Sequence, residues 1–119
     1  VRFDVRSREA GDGIAILSVQ GEADAFTAPR LKQEMLSWLD RGVNRIAVNL
    51  EQVTYLDSTG LGVLIGGLKR SRERGGDLVL VCPNDRITRI FEITGLSRIF
   101  DMLASEEDAI KHLRGGQDG

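Results

Sequence analysis

The residues best placed to do chemistry stand together in Tyr55-Leu56-Asp57-Ser58-Thr59-Gly60-Leu61-Gly62, where a strand pattern hands over to a helix pattern. In open α/β sheets, functional groups gather at the carboxyl ends of the strands. Asp57 and Ser58 are both good helix N-cap residues. Ser58 therefore has three readings. It can cap the helix through its hydroxyl. It can be a nucleophile, but that needs a base, and the only histidine, His112, lies far along the chain. The nucleophile-elbow pattern Gly-x-Ser-x-Gly is also broken, because Leu56 stands where its first glycine belongs. Third, Ser58 can accept a phosphate. A phosphate adds about −1.5 to −2 charges at neutral pH, and a helix N-terminus favours negative charge through its dipole and free N–H groups. Phosphorylation there alters what docks around the helix start without unfolding it, although Asp57 opposes the added charge.

The helix that follows carries Gly60, Gly62, Gly66 and Gly67. Each interior glycine costs about 1 kcal/mol relative to alanine, so the set needs an offsetting gain. Gly62 and Gly66 are four apart and share a side of the helix that differs from the Leu61, Leu64, Ile65 and Leu68 stripe. Either this helix packs tightly on its own sheet or neighbouring helix, or it shows a smooth surface to another protein. Asp24 follows the second strand as a turn or cap residue. With Glu22 it forms an acidic rim near Ser58 if the two strands are neighbours; as a metal site this is weak, because the spacing of the carboxylates is not fixed. No phosphate-binding loop is present, and Gly60-Leu61-Gly62 lacks the rest of a dinucleotide fingerprint. The run Lys69-Arg70-Ser71-Arg72-Glu73-Arg74 sits at a helix C-terminus, where cations are favoured. It reads first as a solvated face and second as a docking surface.

These groups need elements to hold them. Phe3 and Val5 alternate with charged residues as a half-buried strand, and Gly11-Asp12-Gly13 turns the chain into a second strand from Ile14 to Val19. Gly21-Glu22-Ala23-Asp24 reads as a loop, and Thr27 as the cap of a helix with Pro29 in its first turn. Leu31, Met35, Trp38 and Leu39 form one helical face, and Gly42 follows its end. Ile46, Val48 and Leu50 mark a short central strand. The Leu78 to Cys82 run, closed by Pro83, is a buried strand. Asp85 opens a helix that Gly95 ends. Ile99 to Leu103 supplies an edge strand, and Ser105 with Asp108 resembles a capping box before a last helix. The order β-β-α-β-α-β-α-β-α predicts an α/β fold. Its sheet is mixed but mostly parallel, with four to five strands, about four helices and an antiparallel opening hairpin. One face of the sheet is expected to be better covered than the other. Residues 1–114 read as one domain and 115–119 as a disordered tail.

Composition closes off other classes. With 119 residues, 41% apolar and 29% charged, the chain fits one soluble core. A net charge of −2 lacks the basic face of a nucleic-acid binder. One cysteine, Cys82, and one histidine exclude an internal disulfide and a histidine-based metal cluster. No apolar run approaches the ~20 residues of a membrane span, and Val1-Arg2-Phe3-Asp4 lacks a signal peptide's apolar core. The start at Val1 rather than Met reads as trimmed. A cytoplasmic domain without a cofactor is expected, with no nucleic acid or membrane as partner.

At Asp57-Ser58-Thr59-Gly60-Leu61-Gly62 the sequence resembles the STAS domain, and within it the bacterial anti-sigma factor antagonists. Gly21-Glu22-Ala23-Asp24 is similar to the family's Gly-Glu-Leu-Asp, with Ala23 in place of leucine. Asn49-Leu50 before Val53 to Leu56, Gly75-Gly76 before an apolar strand, and Phe91 with Gly95-Leu96 also match. The resemblance implies a STAS-like fold and a non-enzymatic partner switch. Unphosphorylated, such a domain binds an anti-sigma factor that is also a serine kinase and so frees the sigma factor. The kinase uses ATP to phosphorylate the domain and release it, and a PP2C-type phosphatase restores binding. By position Ser58 matches the phosphoacceptor, with Thr59 as a second candidate hydroxyl. Asp24, Asp57, Thr59, Gly60, Leu61, Gly62 and Gly66 match the partner-facing surface. The alternative is a STAS module of a stressosome or lipid-transport assembly. A receiver domain phosphorylated on Asp57 would need an acidic pair after the first strand, and none is visible. Oligomeric state stays open.

Overall fold

The computed structural model describes residues 3–115. Among them the elements are β1 (Asp4–Glu9), β2 (Ile14–Ala23), α1 (Ala28–Asp40), β3 (Arg45–Leu56), α2 (Ser58–Glu73), β4 (Asp77–Val81), α3 (Asp85–Thr94), β5 (Met102–Leu103) and α4 (Glu106–Gly115), with one 3-10 turn at Leu96–Arg98. The strands form one sheet in the order β1-β2-β3-β4-β5. The β1–β2 pair is antiparallel, and every later pair is parallel. This is the expected mixed sheet, closed at one edge by the hairpin.

Both faces of the central strands are apolar because both are covered. On one face, α1, α2 and α3 bury Leu31, Met35, Leu64, Leu68, Ile87 and Phe91 against the sheet. On the other, α4 alone sets Ala109 and Leu113 against Ile14, Ile16, Ala47, Val79 and Val81. Three helices on one face and one on the other give the expected unequal coverage. Trp38 and Cys82 are buried, as their positions predicted. No helix among the described residues is long and apolar enough to cross a membrane.

Four local expectations change. Glu22 and Ala23 are not in a loop: β2 runs on to Ala23, because Gly21, Glu22 and Ala23 pair with Val53, Tyr55 and Leu56. The register shifts there, which blurred the alternating pattern. The central strand is not short either. It spans Arg45–Leu56 and carries the chain straight to Asp57. Thr27 does not cap α1 through its side chain; its hydroxyl donates instead to the Glu22 carbonyl, near the end of β2. The α2 stripe is narrower than its spacing suggests: Leu64 and Leu68 are buried, Leu61 is half-buried and Ile65 is exposed. Elsewhere the capping chemistry holds. Asn84 accepts from the Arg86 N–H to start α3, and Gly95, at φ 80°, ends it in the left-handed region. Ser105 Oγ accepts from the Asp108 N–H at 3.1 Å to start α4. Gly115 closes that helix, and 116–119, the rest of the predicted tail, lie outside the described residues.

Candidate functional site

The site is built where β2 and β3 end side by side. Ala23 pairs with Leu56, and the Asp57 N–H donates to the Ala23 carbonyl at 3.2 Å. The Asp24 loop and the start of α2 are thereby fixed next to each other. Neighbouring parallel strands thus bring together the Glu22–Asp24 segment and Asp57-Ser58, which are more than thirty residues apart in sequence.

Asp57 is the N-cap of α2. Its Oδ1 accepts from the Thr59 N–H at 2.9 Å and the Gly60 N–H at 3.1 Å. This removes the capping reading of Ser58. The capping role is filled by Asp57, so Ser58 becomes the first helical residue, exposed, with no hydrogen-bond partner for its hydroxyl among the described residues. Thr59 beside it is exposed too. The histidine a nucleophilic Ser58 would need is elsewhere: His112 sits on α4, which covers the opposite face of the sheet, and its Nε2 lies 3.1 Å from Asp101 Oδ2.

Asp24 works first on its own loop. Its Oδ1 accepts from the Phe26 N–H at 2.9 Å and the Thr27 N–H at 3.0 Å. These donors favour the charged form, the Thr27 N–H most, and hold the Asp24 carboxyl below its ordinary value of 3.8. The turn they fix presents Phe26, which is 91% exposed, at the tip of the loop. Tyr55, opposite Glu22 on the adjoining strand, is 49% exposed. Sequence reasoning missed both aromatics. Phe26 lies outside every periodic pattern, and only the Asp24 turn reveals that its ring is unpacked.

The four glycines of α2 divide into two kinds. A Cβ on Gly60 would stand 2.6 Å from Leu56 Cδ1 and 2.9 Å from the Ala23 carbonyl oxygen, and one on Gly67 would stand 2.5 Å from Met35 Sδ. These two glycines allow the helix to close on β2, β3 and α1, so Gly60 belongs to the interior and not to the docking face the sequence assigned it. A Cβ on Gly62 would meet nothing within 4 Å, and one on Gly66 would meet only the end of the Arg70 side chain. Gly62 and Gly66 line the open side of the helix, beside Thr59.

The carboxylates of the acidic rim do not gather into a ligand set among the described residues. Among the described residues, the group with metal-ligand types in mutual reach is Asp77, Asp101 and His112, and Glu22, Asp24 and Asp57 form no such group. Asp77 begins β4 at the opposite end of the parallel strands, and its Oδ1 already accepts from Arg72 Nε at 3.1 Å.

The STAS domain profile matches residues 7–109. The chain belongs to the STAS domain family. This STAS domain is 38% identical over 119 residues to the anti-sigma-B factor antagonist of Listeria monocytogenes, covering 100% of this chain and 96% of that protein. It is 36% identical over 111 residues to the protein of the same name from Bacillus subtilis, covering 93% and 98% of the two chains. Its fold superposes with a TM-score of 0.83 on the crystal structure of a candidate anti-sigma factor antagonist from Thermotoga maritima, at 29% identity over 94% of each chain.

Proposed function

We propose that this STAS domain is an anti-sigma factor antagonist that acts by partner switching and that Ser58 is its phosphoacceptor. The observation that carries the reading is the division of labour at the start of α2. Asp57 supplies the cap, and Ser58 is left with a free, exposed hydroxyl on the first turn. The names of the relatives at 36% and 38% identity support the same reading.

In this scheme the unphosphorylated domain docks on an anti-sigma factor serine kinase and so releases the sigma factor. The partner brings the ATP, so this chain needs no cofactor or catalytic base of its own. In the transfer, Ser58 Oγ bonds to the γ-phosphorus as the bond from that phosphorus to the bridging oxygen breaks. The hydroxyl proton leaves, and ADP is the product. The new dianion sits on the positive end of the α2 dipole, where it is tolerated. It roughly doubles the net charge of −2, and it does so at one surface. Repulsion and bulk there dissociate the complex, and a PP2C-type phosphatase resets it. The domain then works in the cytoplasm, as a binding module and not as an enzyme.

Intact-mass measurement after incubation with candidate anti-sigma kinases and ATP, followed by site mapping, tests the scheme. One phosphate on Ser58 is expected. Ser58→Ala is expected to bind the kinase and stay bound when ATP is added. A phosphate that maps to Thr59 in the wild type and persists in Ser58→Ala sinks the assignment of Ser58.

A further inference from the structure

Beside Ser58, the space between α1 and α2 forms an open groove of about 300 Å³. It is lined by Lys32 of α1 and by Thr59, Gly62, Val63, Gly66 and Arg70 of α2. Arg70 folds back along its own helix, with Nη1 at 2.9 Å from where a Cβ of Gly66 would be. The missing side chain at Gly66 is what lets the guanidinium lie there. Neither Lys32 nor Arg70 has a carboxylate partner among the described residues, a state they share with Arg41, Lys69, Arg74, Arg86, Arg89, Arg98 and Lys111, so what marks them is that both line this one groove. In a chain of net charge −2, two unpaired cations converge on one groove.

We infer that this groove seats an acidic segment of the protein partner, with a carboxylate held between Lys32 and Arg70. The inference rests on the partner-switching reading and names the chemistry of the docking element. Charge complementarity and position both support it. The groove opens on the surface that carries Thr59, one residue from Ser58. Its glycine floor at Gly62 admits another backbone, because nothing stands within 4 Å of that position. A free phosphate is poorly served there. The groove runs along the side of a helix, where backbone N–H groups are already spent on helical bonds, so only the two side chains can donate. An acidic segment uses those cations and gains contact along the floor as well.

This placement gives phosphorylation a route to release. A phosphate on Ser58 adds about −1.5 to −2 charges near the mouth of the groove. Charges act over ~8–10 Å at physiological salt, and the Arg70 guanidinium lies beside Gly66, eight residues or ~12 Å along α2 from Ser58, so the effect falls on the Thr59 end of the groove. There the phosphate repels an acidic segment that runs out of the groove past Thr59.

The experiment measures affinity of the full chain for its cognate anti-sigma kinase, without ATP, across a salt series. Lys32→Glu and Arg70→Glu are each expected to weaken binding about tenfold or more and to flatten the salt dependence, with thermal midpoints close to wild type because both side chains are unpaired. Reversing a groove-facing acid of the partner to lysine is expected to restore binding to Arg70→Glu. If wild type binds and is phosphorylated on Ser58 while both reversals bind with unchanged affinity, the groove assignment falls and the partner-switching reading stands. A wild-type chain that neither binds nor is phosphorylated by such a kinase overturns both.

Discussion

Alanine at Gly60 and at Gly62 should move stability in opposite directions, although the two sites lie two residues apart on one helix. Alanine is favoured over glycine inside a helix by about 1 kcal/mol. At Gly62 the new methyl meets nothing within 4 Å, so that gain is realised whole. For a domain of this size it should raise the thermal midpoint by about 4 °C. At Gly60 the methyl would stand 2.6 Å from Leu56 Cδ1 and 2.9 Å from the Ala23 carbonyl oxygen. Leu56 can turn aside. The carbonyl cannot, because it is backbone at the end of β2 and accepts the Asp57 N–H at 3.2 Å. Overpacking of this kind costs about 1–3 kcal/mol, so Gly60→Ala should come out destabilised by up to about 2 kcal/mol. Urea unfolding measures both, provided the m-value is unchanged. Binding to the proposed anti-sigma kinase supplies the second axis. Gly62→Leu should leave the domain folded and weaken the complex, because it places bulk on the open side of α2. Stabilisation by Gly60→Ala, or destabilisation by Gly62→Ala, would refute the division of the glycines into interior and surface kinds. Unchanged partner affinity in Gly62→Leu would remove that position from the docking face.

Three further outcomes follow from the same geometry. Asp57→Ala removes the acceptor for the Thr59 and Gly60 N–H groups and should cost about 1 kcal/mol in urea unfolding, while Asp57→Asn should keep most of the cap. Asp24 has its folded-state pKa below the ordinary 3.8, so its contribution is whole above pH 3.8 and is lost as pH falls through the lower folded value; the stability gap between wild type and Asp24→Asn should therefore close under acid, and a gap that widens there would reverse the assignment. Phe26→Ala should change stability by less than about 0.5 kcal/mol, because the ring is 91% exposed, yet it should cost the kinase complex more than about 1 kcal/mol if the ring is an anchor, which calorimetric titration reads directly.

The order of elements was legible because each strand and helix carries its own periodicity and its own stop signal. Gly42, Gly75 and Gly95 all fall at helix ends, and all adopt positive φ. Where the reading failed, a distant partner had overridden the local signal. Glu22 and Ala23 look like a loop, but β3 holds them in the sheet by pairing with them. Thr27 looks like a cap, but its hydroxyl is taken by the Glu22 carbonyl. Asp57 and Ser58 are equal candidates for one cap by residue type. Only the backbone, with Asp57 at φ −105° and ψ −173°, puts one carboxylate over the Thr59 and Gly60 N–H groups.

By itself, then, the sequence determined the fold class, the family and the short segment on which the proposed switch rests, because those depend on periodicity and on one contiguous motif. It could not say which of four glycines face a partner, since a glycine's role depends on what stands opposite it across the fold. Nor could it place Phe26 in solvent or bring Lys32 of α1 up to Arg70 of α2. Those are distances between residues far apart in the chain, and they exist only once α1 and α2 lie side by side on the sheet.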